Sequence, residues 1–165
     1  MTQHNKTVYN VAYGAVIAAV YVALTGVFQP ISFGPVQFRI SEALCILPYF
    51  TPAAVPGLFV GCLIANILFS GAPLDIVFGS LATLLGAMGS LRLRRHRWLV
   101  CIPPILANTA IIPWVIRFSG GSEDMLLLSA GTVGIGEILA VGVLGNVLLL
   151  ALERYKDIIF KHQFS

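Results

Sequence analysis

The amino-acid sequence predicts an all-α membrane protein, a single bundle of six transmembrane helices with both termini on the cytoplasmic side. Three observations predict it. Of the 165 residues, 58% are apolar and 10% charged, with a mean hydropathy of +0.90, whereas a soluble domain is about a quarter charged. Charge is missing from Thr7 to Phe38, Ala43 to Leu74, Ile76 to Leu91, Trp98 to Ile116 and Ile138 to Leu152. The bases gather in a few short segments beside these runs, which is a topology signal rather than a nucleic-acid footprint. A spanning helix takes roughly 20 apolar residues, so this length fits one membrane domain over residues 1–165 and leaves nothing for a soluble catalytic domain.

The first helix is expected over Val8–Phe28. It follows the lone Lys6, and its apolar run is well beyond the roughly 7–15 residues of a signal-peptide core, so it reads as a retained helix. Ala15, Ala19 and Ala23 recur at i+4 with Ala12 and Gly26 beside them. Such a ridge lets another helix approach closely, either within the bundle or from a partner. The second and third helices are expected over Arg39–Thr51 and Ala53–Phe69. The 32 residues from Ala43 to Leu74 are too few for two perpendicular spans and too many for one. Two short or tilted helices around Pro48, Pro52 and Pro56 fit best. Gly57, Gly61 and Ala65 give the third its own small-residue ladder.

The remaining helices are expected over Leu74–Leu91, Trp98–Arg117 and Leu128–Leu152. Six spans put Lys6, the cluster Arg92, Arg94, Arg95 and Arg97, and the tail bases Arg154, Lys156 and Lys161 on one side, the cytoplasmic one by the positive-inside bias. Five spans would separate Lys6 from the arginine cluster. The outer face then holds the loops Gln29–Gln37, Ser70–Pro73 and Phe118–Leu127, whose only charges are Glu123 and Asp124.

An ionisable group at a helix centre costs at least about 2.5–3.5 kcal/mol in a membrane, so it needs a partner, water or a solute. Arg39 and Glu42 open the second helix, Asp75 opens the fourth, and Glu137 sits in the sixth, roughly 12–14 Å below that helix's start. Asn66 and Asn108 extend the same outer layer, which reads as a solute pocket opening outward. All but Glu137 have a plainer reading beside this one. Arg39 and Glu42 are i,i+3 and can pair; Asp75 can cap its helix; the two asparagines can bond helix to helix. Arg117 reads as a snorkelling anchor, and Trp98 and Trp114 as interfacial belt residues. Cys45, Cys62 and Cys101 lie in apolar runs without C-x-x-C spacing, and are assigned to helix packing.

Several chemistries are excluded. His4, His96 and His162 lie outside the expected spans, so no histidine-based catalysis or metal site can be assembled in the pocket. The chain has no G-x-S-x-G and no phosphate-binding loop. It is therefore expected to be neither an enzyme nor an ATPase and to need no cofactor, with any ATP hydrolysed by a partner. A different transporter class stays open, a carrier in which Glu137 or Asp75 exchanges protons for a small cationic solute.

Six helices, an alanine ridge and no ATPase together resemble the substrate-capturing S component of an energy-coupling factor (ECF) transporter. Three segments, Gln37-Phe38-Arg39-Ile40-Ser41-Glu42-Ala43-Leu44, Leu58 to Asn66 and Asp75 to Leu85, resemble the QueT family of queuosine-precursor transporters, and Gly134-Ile135-Gly136-Glu137 is similar as well. The stretch Pro113-Trp114-Val115-Ile116-Arg117 departs from the smaller, uncharged run expected there. The resemblance implies a 7-deazaguanine substrate, such as 7-aminomethyl-7-deazaguanine or queuine. It also implies docking through Ala15, Ala19 and Ala23 onto a membrane T component that carries two cytoplasmic ATPases. A guanine-like edge donates N–H groups that a carboxylate accepts. Glu137 is the first choice for that edge, Glu42 or Asp75 for an aminomethyl cation, and Asn66 and Asn108 for the ring carbonyl and nitrogens. Phe38 would stack on the base, and Arg39 would orient Glu42.

Overall fold

The computed structural model describes residues 3–32, 38–119 and 125–159. These hold seven α-helices: α1 (Gln3–Val27), the single turn α2 (Gln29–Ser32), α3 (Ala54–Ala65), α4 (Ser80–Arg92), α5 (Ile102–Phe118), α6 (Met125–Glu137) and α7 (Asn146–Ile159). Two 3-10 helices, Ile40–Tyr49 and Arg97–Leu99, and three π-helical segments, Asn66–Ser70, Asp75–Gly79 and Ile138–Gly145, lie between them. The expected outer loops overlap 33–37 and 120–124. Those stretches, with Glu123, Asp124 and Lys161, lie outside the described residues.

The expectation of six spans is corrected here. Three helical stretches are long and apolar enough to cross a membrane: Lys6–Val27, Arg97–Phe118 and Leu126–Lys156. The segment expected as the second span is the 3-10 helix Ile40–Tyr49, which at about 2 Å per residue covers roughly 20 Å of a hydrocarbon core about 30 Å thick. Ala54–Ser70 is apolar but shorter than a span. The run 75–92 opens on Asp75, ends on Arg92 and carries Ser80, Thr83 and Ser90 between them, which dilutes its apolar content. The parity argument that placed both termini in the cytoplasm rested on six spans and lapses with them.

The reason for the shortfall lies in the centre of the molecule. Ser41 through Pro48 of the 3-10 helix are all buried, and this helix packs against α1, α3, α4, α7 and the π segment Ile138–Gly145. Its apolar side chains face protein. Leu44, Cys45, Ile46 and Leu47 join Ile17 and Tyr21 of α1, Leu58 and Cys62 of α3, and Val141 and Leu149 in one core. Around it α1 packs on α3, α3 on α4, α4 on α5 and α5 on α6.

Small residues set the closest approach. A Cβ built on Gly57 would stand 2.6 Å from the Gly14 carbonyl oxygen, and one on Gly61 would stand 3.0 Å from Ala18 Cα, so α1 and α3 meet backbone to backbone. The inward stripe of α1 is therefore Gly14, Ala18, Tyr21 and Thr25, all buried, while Ala15, Ala19 and Ala23 are exposed. At the basic end, Arg97 Nη1 pairs with Glu153 Oε2 at 3.0 Å, and Tyr49 Oη donates to Glu153 Oε1 at 3.2 Å. Arg97 also lies over the Trp98 ring, and Arg117 over that of Trp114, at 4.6 and 5.7 Å from the centroids. A guanidinium favours such an aromatic face.

Candidate functional site

Departures from α-helical geometry coincide with the polar residues. Asn66 opens one π segment, Asp75 opens the next, and Glu137 immediately precedes the third. A π turn accommodates an extra residue, re-aims the side chains around it and is frequent at functional sites. Glu42 belongs to the 3-10 helix, and Arg39 is its N-terminal flanking residue. With three residues per turn, Arg39, Glu42 and Cys45 lie above one another on a single face. Sequence spacing alone makes Arg39 and Glu42 neighbours; the 3-10 winding adds Cys45 to the row.

Arg39, Glu42, Asn66, Asp75, Asn108 and Glu137 are all buried. Arg39 is within electrostatic reach of Asp75 and Glu42, and Glu137 within reach of Glu42, Asn108 and Arg39. Gly79 leaves room for the junction, since a Cβ there would stand 3.0 Å from Asn66 Nδ2 and 3.7 Å from Arg39 Nη1. The structure thus brings six of the seven expected site residues into one buried layer. Phe38 is half-buried, with its N–H donating to the Ile31 carbonyl at 3.1 Å, and stands outside that hydrogen-bonded layer.

The carboxylates differ in how fully the protein satisfies them. Glu42 Oε1 accepts from the Tyr21 hydroxyl and lies 3.0 Å from Thr83 Oγ1, and Oε2 accepts from Cys45 Sγ at 2.9 Å. Asp75 Oδ2 accepts from Ser70 Oγ at 2.7 Å, and the Asp75 carbonyl accepts from Asn66 Nδ2 at 2.9 Å. Asp75 Oδ1, Glu137 Oε2, Asn108 Nδ2 and Thr109 Oγ1 are buried and complete no hydrogen bond. Asp75 is the acidic residue of the first turn of its π segment, where its charge complements the helix dipole. Those four atoms comprise two carboxylate acceptors, one amide donor and one hydroxyl, beside the buried donor Arg39. A ligand here meets donors as well as acceptors. Among the described residues no three His, Cys, Asp or Glu side chains gather closely enough to hold a metal ion.

Sequence reasoning missed Tyr21, Thr83, Cys45 and Cys62. Both cysteines, assigned to packing, also join the polar layer: Cys62 Sγ lies 3.3 Å from Thr83 Oγ1 and 3.5 Å from Asn66 Nδ2. A signal existed for Tyr21, because Tyr21 and Thr25 are polar groups one turn apart in the charge-free run that begins at Thr7. Next to the exposed alanines, a groove of about 530 Å³ runs between α1 and α3, lined by Asn10, Gly14, Ala15, Ala18, Pro56 and Val60 among others.

A family model described as the QueT transporter matches residues 11–154. A curated relative, the queuosine precursor transporter QueT of Lactococcus lactis subsp. cremoris, is 38% identical over 78 residues, which cover 46% of this chain and 46% of the relative. The match thus spans about half the length of that relative. No solved structure matches the chain.

Proposed function

The chain belongs to the QueT transporter family, so its activity is transport across a membrane rather than catalysis, and on that premise we propose that it captures a 7-deazaguanine queuosine precursor. One observation carries the substrate reading: Asp75 Oδ1, Glu137 Oε2 and Asn108 Nδ2 are buried in one layer and complete no well-formed hydrogen bond, with Asn108 beside Glu137. A buried polar group left unpaired costs about 1–3 kcal/mol, which a ligand offering matching groups recovers. Glu137 accepts from the N–H donors of the guanine-like edge. Asp75 receives the aminomethyl cation, and the Asn108 amide donates to the ring carbonyl. Asn66, whose amide is committed to the Asp75 carbonyl, positions Asp75 for that role. Glu42 is already occupied on both oxygens and supports Arg39 in place of touching the base. Phe38 remains the candidate to stack on the ligand from outside the layer.

In this proposal the chain is the S component of an ECF importer. Its exposed Ala15, Ala19 and Ala23 dock on a T component bearing two ATPases, whose ATP hydrolysis drives release to the inside. The adjacent stripe of α1 already supplies the internal packing against α3, which supports a partner role for the ridge. Adding 7-aminomethyl-7-deazaguanine to the purified protein should raise its melting temperature. At 100 times Kd the stabilisation is about 2.7 kcal/mol. No shift with any 7-deazaguanine would sink the substrate assignment.

The proximity of Glu137 to a second carboxylate, Glu42, favours the proton-coupled carrier as the alternative. Uptake that stops when the proton gradient is collapsed at constant ATP, and that ignores loss of the ATPases, would establish that reading instead.

A further inference from the structure

Tyr21 is not among the residues to which the substrate reading gives a role, yet it is 1% exposed and its hydroxyl donates to the fully buried Glu42. Glu42 is held from three elements: by Tyr21 on α1, by Thr83 on α4 at 3.0 Å, and by Cys45 within its own 3-10 helix at 2.9 Å. Such a carboxylate has little freedom to turn, because each donor stabilises its charge in one orientation. Where Glu42 sets its charge matters beyond itself, since Arg39 and Glu137 both feel it. The second anchor of α1 on the same 3-10 helix is the 2.8 Å contact of Thr25 Oγ1 with Ser41 Oγ.

Tyr21 also stands between two members of the exposed ridge. Ala19 and Ala23 are two residues before and after it, about 200° around the helix, so the ridge and the Tyr21 side chain occupy opposite faces of one rigid rod. A displacement of α1 at the ridge therefore reaches Glu42 directly through Tyr21, and its neighbour Ser41 through Thr25.

We propose that Tyr21 is a positioning residue for the ligand-binding layer, tying α1 to it by holding Glu42 in place. This rests on the layer being the substrate site, as proposed above. The test is Tyr21→Phe in the complete chain, which keeps the ring and removes the donor, with 7-aminomethyl-7-deazaguanine as the probe. Affinity should fall about tenfold, the size of a lost hydrogen bond to a charged group. On a Glu42→Gln background, where no charge calls for that donor, the same substitution should change affinity less than about twofold. Thr25→Val, on the same face but not touching Glu42, should leave affinity within about twofold of the wild type.

Affinity unchanged by Tyr21→Phe, effects of Tyr21→Phe and Glu42→Gln that simply multiply, or an equal loss in Thr25→Val would each overturn the positioning role. If Tyr21→Phe does not fold, the Tyr21→Phe/Glu42→Gln protein must still purify and bind as Glu42→Gln does; failure there overturns the proposal as well. The same double-mutant cycle read by melting temperature needs no ligand. A wild type that binds no deazaguanine yet shows thermal coupling between Tyr21 and Glu42 breaks the substrate reading and keeps the link. A wild type that binds without such coupling does the reverse.

Discussion

The seam between α1 and α3 and the exposed face of α6 stand at opposite tolerances for an added methyl group. At the first, a Cβ on Gly57 would stand 2.6 Å from a backbone oxygen; on α6, a Cβ on Gly131 would meet nothing within 4 Å, and one on Gly134 would first meet Thr109 Cγ2 at 3.4 Å. α6 packs mainly on α5 and on its own π-helical continuation, with Leu127, Leu128 and Ile135 exposed. In the polar layer Glu42 has both oxygens engaged, while Asp75, and Glu137 at the end of α6, each keep one oxygen open. In the proposed function, the Glu42 wall is the fixed reference and the Glu137 wall the one that a ligand would complete.

The comparison is most exposed at Gly57. Gly57→Ala forces the α1 and α3 backbones apart and should lower stability by about 3 kcal/mol, the upper end for overpacking, read as a large drop in melting temperature. A melting temperature near that of the wild type would show that the tight seam can relax. Next in size is Glu137→Gln, which removes the charge and turns one acceptor oxygen into a donor. It should weaken deazaguanine binding by about 2 kcal/mol, or roughly thirtyfold, with the ligand-free melting point little changed. Binding within about threefold of the wild type would take Glu137 out of the base-reading role.

On the loose side, Gly131→Ala should be tolerated and even gain up to about 1 kcal/mol from helix propensity. A destabilised Gly131→Ala protein would mean that α6 is packed against more than α5. The smallest effect on stability is expected at the ridge. Ala19→Leu, on an exposed position, should stay within about 0.5 kcal/mol of the wild type and retain solute binding, while uptake and copurification with a T component fall sharply. Loss of stability and binding together would place Ala19 inside the bundle's own packing.

Most of the candidate-site residues are legible in the amino-acid sequence, and for one reason: ionisable and amide groups are so costly in an apolar chain that Arg39, Glu42, Asn66, Asp75, Asn108 and Glu137 stand out on inspection. Tyr21 and Thr83 do not stand out, because a hydroxyl in a helix has several ordinary uses and only distance reveals which it serves. The π segments at Asn66, Asp75 and Glu137 are equally hidden. Hydrophobic periodicity reports a face, and a single inserted residue shifts that face without leaving a compositional mark.

By itself the sequence determined the solvent and the inventory: a chain 58% apolar and 10% charged must bury most of itself in lipid or protein, and its few polar groups must find partners. It also carried the family resemblance, through segments such as Gln37 to Leu44. Which stretches form helices long and apolar enough to cross a membrane was decided only by the tertiary structure. Hydropathy measures how little a segment likes water and is blind to whether lipid or protein replaces that water, so Ile40–Tyr49 reads as a span and folds as the buried centre of the bundle. The open oxygens of Asp75 and Glu137 were decided there too, because a hydrogen bond exists only once groups far apart in the chain, such as Tyr21, Glu42 and Thr83, have been brought within 3 Å or so of one another.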